Sequence, residues 1–201
     1  MKQIVTYGLQ IVLAGTLMFI AACDPFTPIE ILNAENNVLN PSVEEGSDLP
    51  SEWYFSEGDS IAKNAGFWVS GDGFESSRSL KITQNTEEIE YIYWAQTRMG
   101  RPLNGKTVVL KAMVRASGLE GQGATLIVRG DHSDEPKGEG ESLATSQGIA
   151  KIIGSHDWTE YEVVLEEGMD KKTESVSVYL ALLPETTGTV YFDQISLSYR
   201  D

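Results

Sequence analysis

The chain of 201 residues has one cysteine, two histidines and half as many basic as acidic side chains, 15 against 30. One cysteine excludes an internal disulfide. So little histidine and cysteine leaves poor material for a zinc site, which wants three or four ligands drawn largely from those residues. The net charge of −15 opposes nucleic acid and anionic lipid surfaces, because both are bound through basic footprints. Neutral or cationic partners suit it better. No Gly-x-Ser-x-Gly elbow, P-loop or dinucleotide-binding glycine motif occurs, and the chain reads as a protein that is not an enzyme. With thirty acidic residues, some carboxylate pair suited to glycoside hydrolysis always looks available, so such pairs carry no argument. Beyond Ala22 no stretch keeps a helical period, which excludes a helical or α/β domain.

What is present starts with an address. Lys2 precedes an apolar run from Ile11 to Ala22, interrupted by Gly15 and Thr16. The run is shorter than the ~20 residues of a spanning helix and ends in small residues, as a secretory signal peptide does. Ile20-Ala21-Ala22-Cys23 resembles a bacterial lipobox, so residues 1–22 are expected to be a leader and Cys23 the lipidated N-terminus. Residues 23–37 then read as a disordered tether, since Pro25, Pro28 and scattered carboxylates offer no apolar surface to bury. The expected location is the bacterial cell envelope, anchored by lipid to a membrane, the outer membrane favoured, with the domain in the periplasm or on the cell surface.

The rest, residues 38–201, is the length of one domain. Val108, Leu110, Ala112 and Val114 alternate with Lys111, Met113 and Arg115; Tyr161, Val163 and Leu165 alternate with Glu160, Glu162 and Val164. Val176, Val178, Leu180 and Leu182 alternate with Ser177, Tyr179 and Ala181. Further strands are predicted over Ser79–Gln84, Glu90–Gln96, Ala124–Arg129, Ile149–Ile153 and Thr189–Tyr199, separated by Gly- and Asn-rich breakers. Strands with turn signals and no helices between them predict an all-β fold, a single β-sandwich or jelly roll. Lys111, Arg115 and Arg129 are expected on an outer face, with Gln96 and Tyr179 beside them. Phe192 and Ile195 both look core-directed although three apart, which period two forbids unless a bulge lies at Asp193 or Gln194.

The stretches "NVLNPSVEEG" (37–46) and "GTVYFDQISLSY" (188–199) bracket this domain. Together with "SRSLKI" (77–82), "LNGKTVVLKAMVRA" (103–116) and "GSHDWTEYEVVL" (154–165), they resemble the jelly-roll carbohydrate-binding modules of the galactose-binding-like superfamily. Val43 stands where that family usually has Phe, and Gln194 replaces an acidic residue that often follows the closing Asp. The resemblance implies glycan binding without catalysis. It also implies a structural calcium ion held by Glu44, Asp193 and the segment around Ser79. The alternative class is a structural or protein-binding accessory subunit of an envelope complex.

Sugar rings stack their C–H faces on flat aromatics while polar side chains bond the hydroxyls. Trp68, Tyr91, Tyr93 and Arg129 are therefore the candidate ligand-binding residues, with Ile92 and Trp94 turned to the core. Trp158 is expected at a sandwich edge. His132 with Asp134 and Glu135 is the nearest grouping for zinc, in a loop better read as solvated, and His156 sits in a predicted turn.

Overall fold

A strand that alternates apolar and polar residues offers one face to a core and one to water. Two sheets of such strands bury their apolar faces against each other. The computed structural model describes residues 31–32, 34–56, 64–86, 90–103, 105–132 and 142–201. The leader, Cys23, Asp134 and Glu135 lie outside the described residues. Among these residues eleven strands follow in order: β1 (Ile31–Leu32), β2 (Tyr54–Ser56), β3 (Gly66–Ser70), β4 (Arg78–Gln84), β5 (Ile92–Met99), β6 (Arg101–Pro102), β7 (Thr107–Asp131), β8 (Ser142–Thr145), β9 (Ile152–Leu165), β10 (Ser175–Leu182) and β11 (Thr187–Arg200). The fold is an all-β sandwich with no helix among the described residues.

The long strand β7 belongs to both sheets. Its first half pairs with β11 and β9, and its second half pairs with β10 and β8. One sheet therefore runs β3-β4-β11-β7-β9 and the other β2-β5-β10-β7-β8. The passage between them needs glycine. Gly121 and Gly123 sit at φ 93° and 92°, and a side chain there would strike the carbonyl oxygens of Glu185 and Ile152.

Val108, Leu110, Ala112, Val114, Val176, Val178, Leu180 and Leu182 all lie in the core, on the faces their alternation predicts. Ile92 and Trp94 are each 1% exposed. Trp94 spans the gap between the sheets, donating its indole N–H to the Lys81 carbonyl at 3.2 Å and packing 5.0 Å from the Phe55 ring. The β11 register jumps between Asp193 and Ser196, with Gln194 at φ 47°. That bulge lets Phe192 and Ile195 both reach 0% exposure.

Several local expectations change. The expected tether through residue 37 is already tied to the sandwich at its C-terminal part. Strand β1 pairs in parallel with β6, and the Asn37 N–H donates to the Leu197 carbonyl at 2.8 Å. Asn36 brackets β11, donating to the Ile195 carbonyl and accepting from the Leu197 N–H. Residues 146–150 form a turn, so the strand expected over Ile149–Ile153 begins only at Ile152. The edge strands β2 and β3 are additions, being too short to show alternation. Gln96, expected on the outer face, is 3% exposed and bonds both backbone groups of Leu39. It shares the parity of Ile92 and Trp94, and the opening segment folds over it.

Candidate functional site

Three tyrosines from three strands meet on the outer face of the β2-β5-β10-β7-β8 sheet. Antiparallel register places Tyr54 opposite Ala95, Ala95 opposite Tyr179, and Tyr93 opposite both Ser56 and Ala181. Ala95, Ala181 and Ser177 are each at most 1% exposed and form a floor of small side chains between the rings. Tyr93 meets Tyr179 edge to face at 5.3 Å and 80°, and meets Tyr54 at 6.5 Å and 79°, the arrangement that ring quadrupoles favour. Arg129 closes the group. Its guanidinium lies 5.3 Å from the Tyr179 ring, and its Nε stands 2.8 Å from Asp131 Oδ1. Hydroxyls surround the floor, with Thr97 and Ser177 bonded at 2.9 Å and Thr125 and Thr145 at 2.8 Å.

Burial pushes the Tyr179 phenol above its usual range, against the opposing pull of Ser177 and Arg129. The phenol stays protonated at neutral pH and can both donate and accept a hydrogen bond. The group thus offers apolar ring surface, a guanidinium and hydroxyls within one patch. That is the chemistry of a surface for sugar rings: apolar platforms for C–H faces and polar atoms for hydroxyls.

Of the residues proposed from sequence, Tyr93 and Arg129 fall in this group. Tyr91 is exposed just before β5. Trp68 lies elsewhere, on β3 of the opposite sheet. Its indole N–H donates to the Val43 carbonyl at 2.7 Å, the Arg78 guanidinium covers its ring at 3.8 Å, and it packs against the core. With its donor and a ring face occupied, Trp68 is a structural residue here. Tyr54 and Tyr179 were missed as site residues. Tyr179 stands out of phase with Val178 and Leu180, which was legible; its proximity to Tyr54 was not. Trp158, on the edge strand β9, matches its expected position.

The ends of the domain meet at a second polar cluster. Asp193 is 0% exposed. Its Oδ2 accepts from the Phe74 N–H and the Ser76 hydroxyl, and its Oδ1 accepts from the Gln194 N–H. Burial raises its pKa, those three bonds oppose the rise, and the negative charge of Glu44 adds to it. Glu44 Oε1 accepts from the Ser77 and Arg78 amides at 2.8 and 2.6 Å. Ser79 Oγ is buried with no hydrogen-bond partner, an orphan that a cation would satisfy. A carboxylate offers about four lone-pair directions, so both acids retain acceptor capacity beyond these bonds. Among the described residues no cluster of three or more His, Cys, Asp or Glu could hold a metal. A cation here would need hydroxyl and carbonyl oxygens as well, which calcium accepts and zinc does not favour. His132 follows the end of β7, beside residues outside the described set. His156 places Nδ1 2.9 Å from the Asp157 carbonyl and Nε2 3.3 Å from the Tyr161 hydroxyl.

No family profile and no curated protein matches the chain. Solved structures do match. The enzymatically active domain of tailspike protein 4 from bacteriophage CBA120 superposes with a TM-score of 0.59 at 12% identity, over 83% of this chain and 22% of that one. The chain therefore spans about a fifth of the tailspike polypeptide. A family 61 carbohydrate-binding module, solved with β-1,4-galactotriose, gives 0.51 at 15% identity over 83% of this chain and all of its own. A cyclase from Fischerella gives 0.54 at 14% identity over 80% and 94%. These likenesses establish the fold and nothing finer: a β-sandwich of the jelly-roll kind, shared by binding modules and enzyme domains alike.

Proposed function

We propose that this chain is a lipid-anchored, non-catalytic β-sandwich that binds glycan on the face bearing Tyr54, Tyr93, Tyr179 and Arg129. The observation that carries the reading is that face itself, with three rings and a guanidinium around a floor of Ala and Ser. Tyrosine and arginine also anchor protein interfaces, and the hydroxyls set around the rings are what favour a sugar here. Its solved neighbours include a module holding a galactotriose, which supports a glycan as ligand. A glycan array on the lipid-free protein, with and without calcium, tests the reading. Retention of at least one glycan class is expected; a blank array would favour an accessory subunit with a protein partner.

The anchor is part of the proposal. Cys23 is the chain's one cysteine and ends the lipobox, so Cys23→Ser should leave the precursor unlipidated. Membrane fractionation should then show loss of the processed, membrane-bound form; a variant that stays processed and membrane-bound would refute lipidation at Cys23.

The second part is a calcium ion at the joined chain ends, held by Glu44, Asp193 and Ser79. It would supply positive charge between two carboxylates and brace the opening segment against the β11 bulge. A ligand that binds only the folded state at a hundred times its Kd stabilises by about 2.7 kcal/mol. For a domain of this size that raises Tm by roughly 5–10 °C. Melts in calcium and in chelator should differ by that much, and Asp193→Asn should abolish the difference. Equal melting temperatures for the unaltered protein would remove the ion from the account.

A further inference from the structure

The opposite outer face, on the β3-β4-β11-β7-β9 sheet, carries an ordered row of its own. Register places Phe67 opposite Lys81, Lys81 opposite Tyr191, and Tyr191 opposite Arg115. On the last strand the register shifts between Val114 and Ala116, so Asp157 and Trp158 together face Arg115 across a bulge. The row therefore reads ring, cation, ring, cation, ring across all five strands. Four strand spacings of ~4.8 Å make it roughly 19 Å long, the length of an oligosaccharide and not of one sugar.

The contacts confirm that these side chains share one surface. Lys81 Nζ lies 5.5 Å from the Phe67 ring and 5.6 Å from the Tyr191 ring. The Arg115 guanidinium lies 4.2 Å from Tyr191 and 5.2 Å from Trp158, and the two rings are 6.5 Å apart. Phe67 is 42% exposed, and Trp158 and Tyr191 are half-buried. Beside the row opens a shallow depression of about 480 Å³, lined by Arg115, Ser117, Ser155, His156, Asp157 and Tyr191.

Cross-strand packing alone accounts for about 0.2–1 kcal/mol per pair, and explains why rings and cations alternate. It does not explain why a bulge turns Trp158 onto the row beside a polar depression. Bulges recur where a side chain is re-aimed for a task. The electrostatics select the occupant. Arg115 is held by Asp72 at 2.9 Å yet has further N–H donors, and Lys81 makes no ion pair among the described residues. Asp157 and Asp72 offset the two cations, and the chain is strongly acidic overall. A polyanion gains little here. An uncharged polysaccharide gains ring platforms and N–H donors for its hydroxyls.

We infer that the Phe67–Lys81–Tyr191–Arg115–Trp158 row is a second, independent binding surface for a neutral, extended polysaccharide. It shares with the proposed function the premise of a glycan ligand, but uses the other sheet. The site on the first face contains no tryptophan, whereas Trp158 belongs to this one. Trp53 and Trp94 are buried and Trp68 is covered by Arg78, so emission changes on binding report on Trp158.

The test titrates the full chain in detergent with β-1,4-galactan, xylan and hydroxyethylcellulose. It follows tryptophan emission together with retention in affinity gels. With at least one polymer, a saturable emission change is expected that survives Tyr93→Ala/Tyr179→Ala. Tyr191→Ala should weaken it roughly tenfold, the scale of one lost aromatic contact, while Tyr191→Phe keeps it. Gel retention lost in the Tyr93→Ala/Tyr179→Ala variant, with no emission change in any protein, would overturn this inference and leave the first site standing. Retention lost only in Tyr191→Ala would uphold the row and refute the first site. No retention and no emission change with any polymer would overturn both.

Discussion

Replacing Tyr93 and Tyr179 together by alanine is expected to abolish retention on a glycan that the unaltered protein holds at the first face. A central aromatic contact is worth at least about 2 kcal/mol when truncated, or roughly thirtyfold in affinity. The two rings stand 5.3 Å apart, so their losses will not simply add. Affinity gels on both single variants and the double variant measure the coupling between them. The companion Tyr→Phe changes keep the ring and remove the hydroxyl, which separates stacking from hydrogen bonding. Thermal melts on the same proteins guard the interpretation. Unchanged retention when the double change is made in a folded Tyr191→Ala background, or a fall in Tm as large as that of a core substitution, would remove these rings from the site.

Trp94→Ala sets the scale for a core substitution and should unfold the domain far more readily. The ring is 1% exposed, packs on Phe55 and donates to Lys81 of the opposite sheet. Truncating a large buried aromatic costs roughly 3–5 kcal/mol, which in a domain of this size lowers Tm by roughly 6–20 °C. The change also leaves the Lys81 carbonyl without its indole donor, an added penalty for a buried acceptor. Tyr91→Ala, three residues earlier and exposed, should stay within about 0.5 kcal/mol. Denaturant melts of the two variants decide the matter. A loss below about 1 kcal/mol at Trp94 would show that the indole does not hold the sheets together.

Much of the fold was legible because it depends on neighbours two residues apart. The alternation of Val108 to Val114 and of Val176 to Leu182 assigned inward and outward faces that the structure bears out. The three-residue interval from Phe192 to Ile195 broke that period, and the β11 bulge is the structural answer. The outward turn of Tyr93 and the inward turn of Trp94 follow from the same parity. Gln96 has that inward parity too, yet its polarity suggested the surface. The opening segment supplies the partners that make its burial tolerable.

The site itself was legible only in fragments. Tyr93 and Arg129 were identifiable as aromatic and cationic residues on outward positions, but nothing local joined them to Tyr54 and Tyr179. Trp68 shows the reverse case: a large aromatic in an exposed-looking stretch whose indole N–H and one ring face are taken by Val43 and Arg78. Which outward residues become neighbours depends on strand order and register, and these are set by pairings between segments far apart in the chain. Tyr54 and Tyr179 lie 125 positions apart and reach the same patch through β5. By itself the sequence determined which side of each long strand faces water, because side-chain parity is a property of the local backbone. Only the tertiary structure decided that three outward tyrosines converge while Trp68 is drawn into packing, because adjacency across a sheet follows from how all the strands bury their apolar faces together.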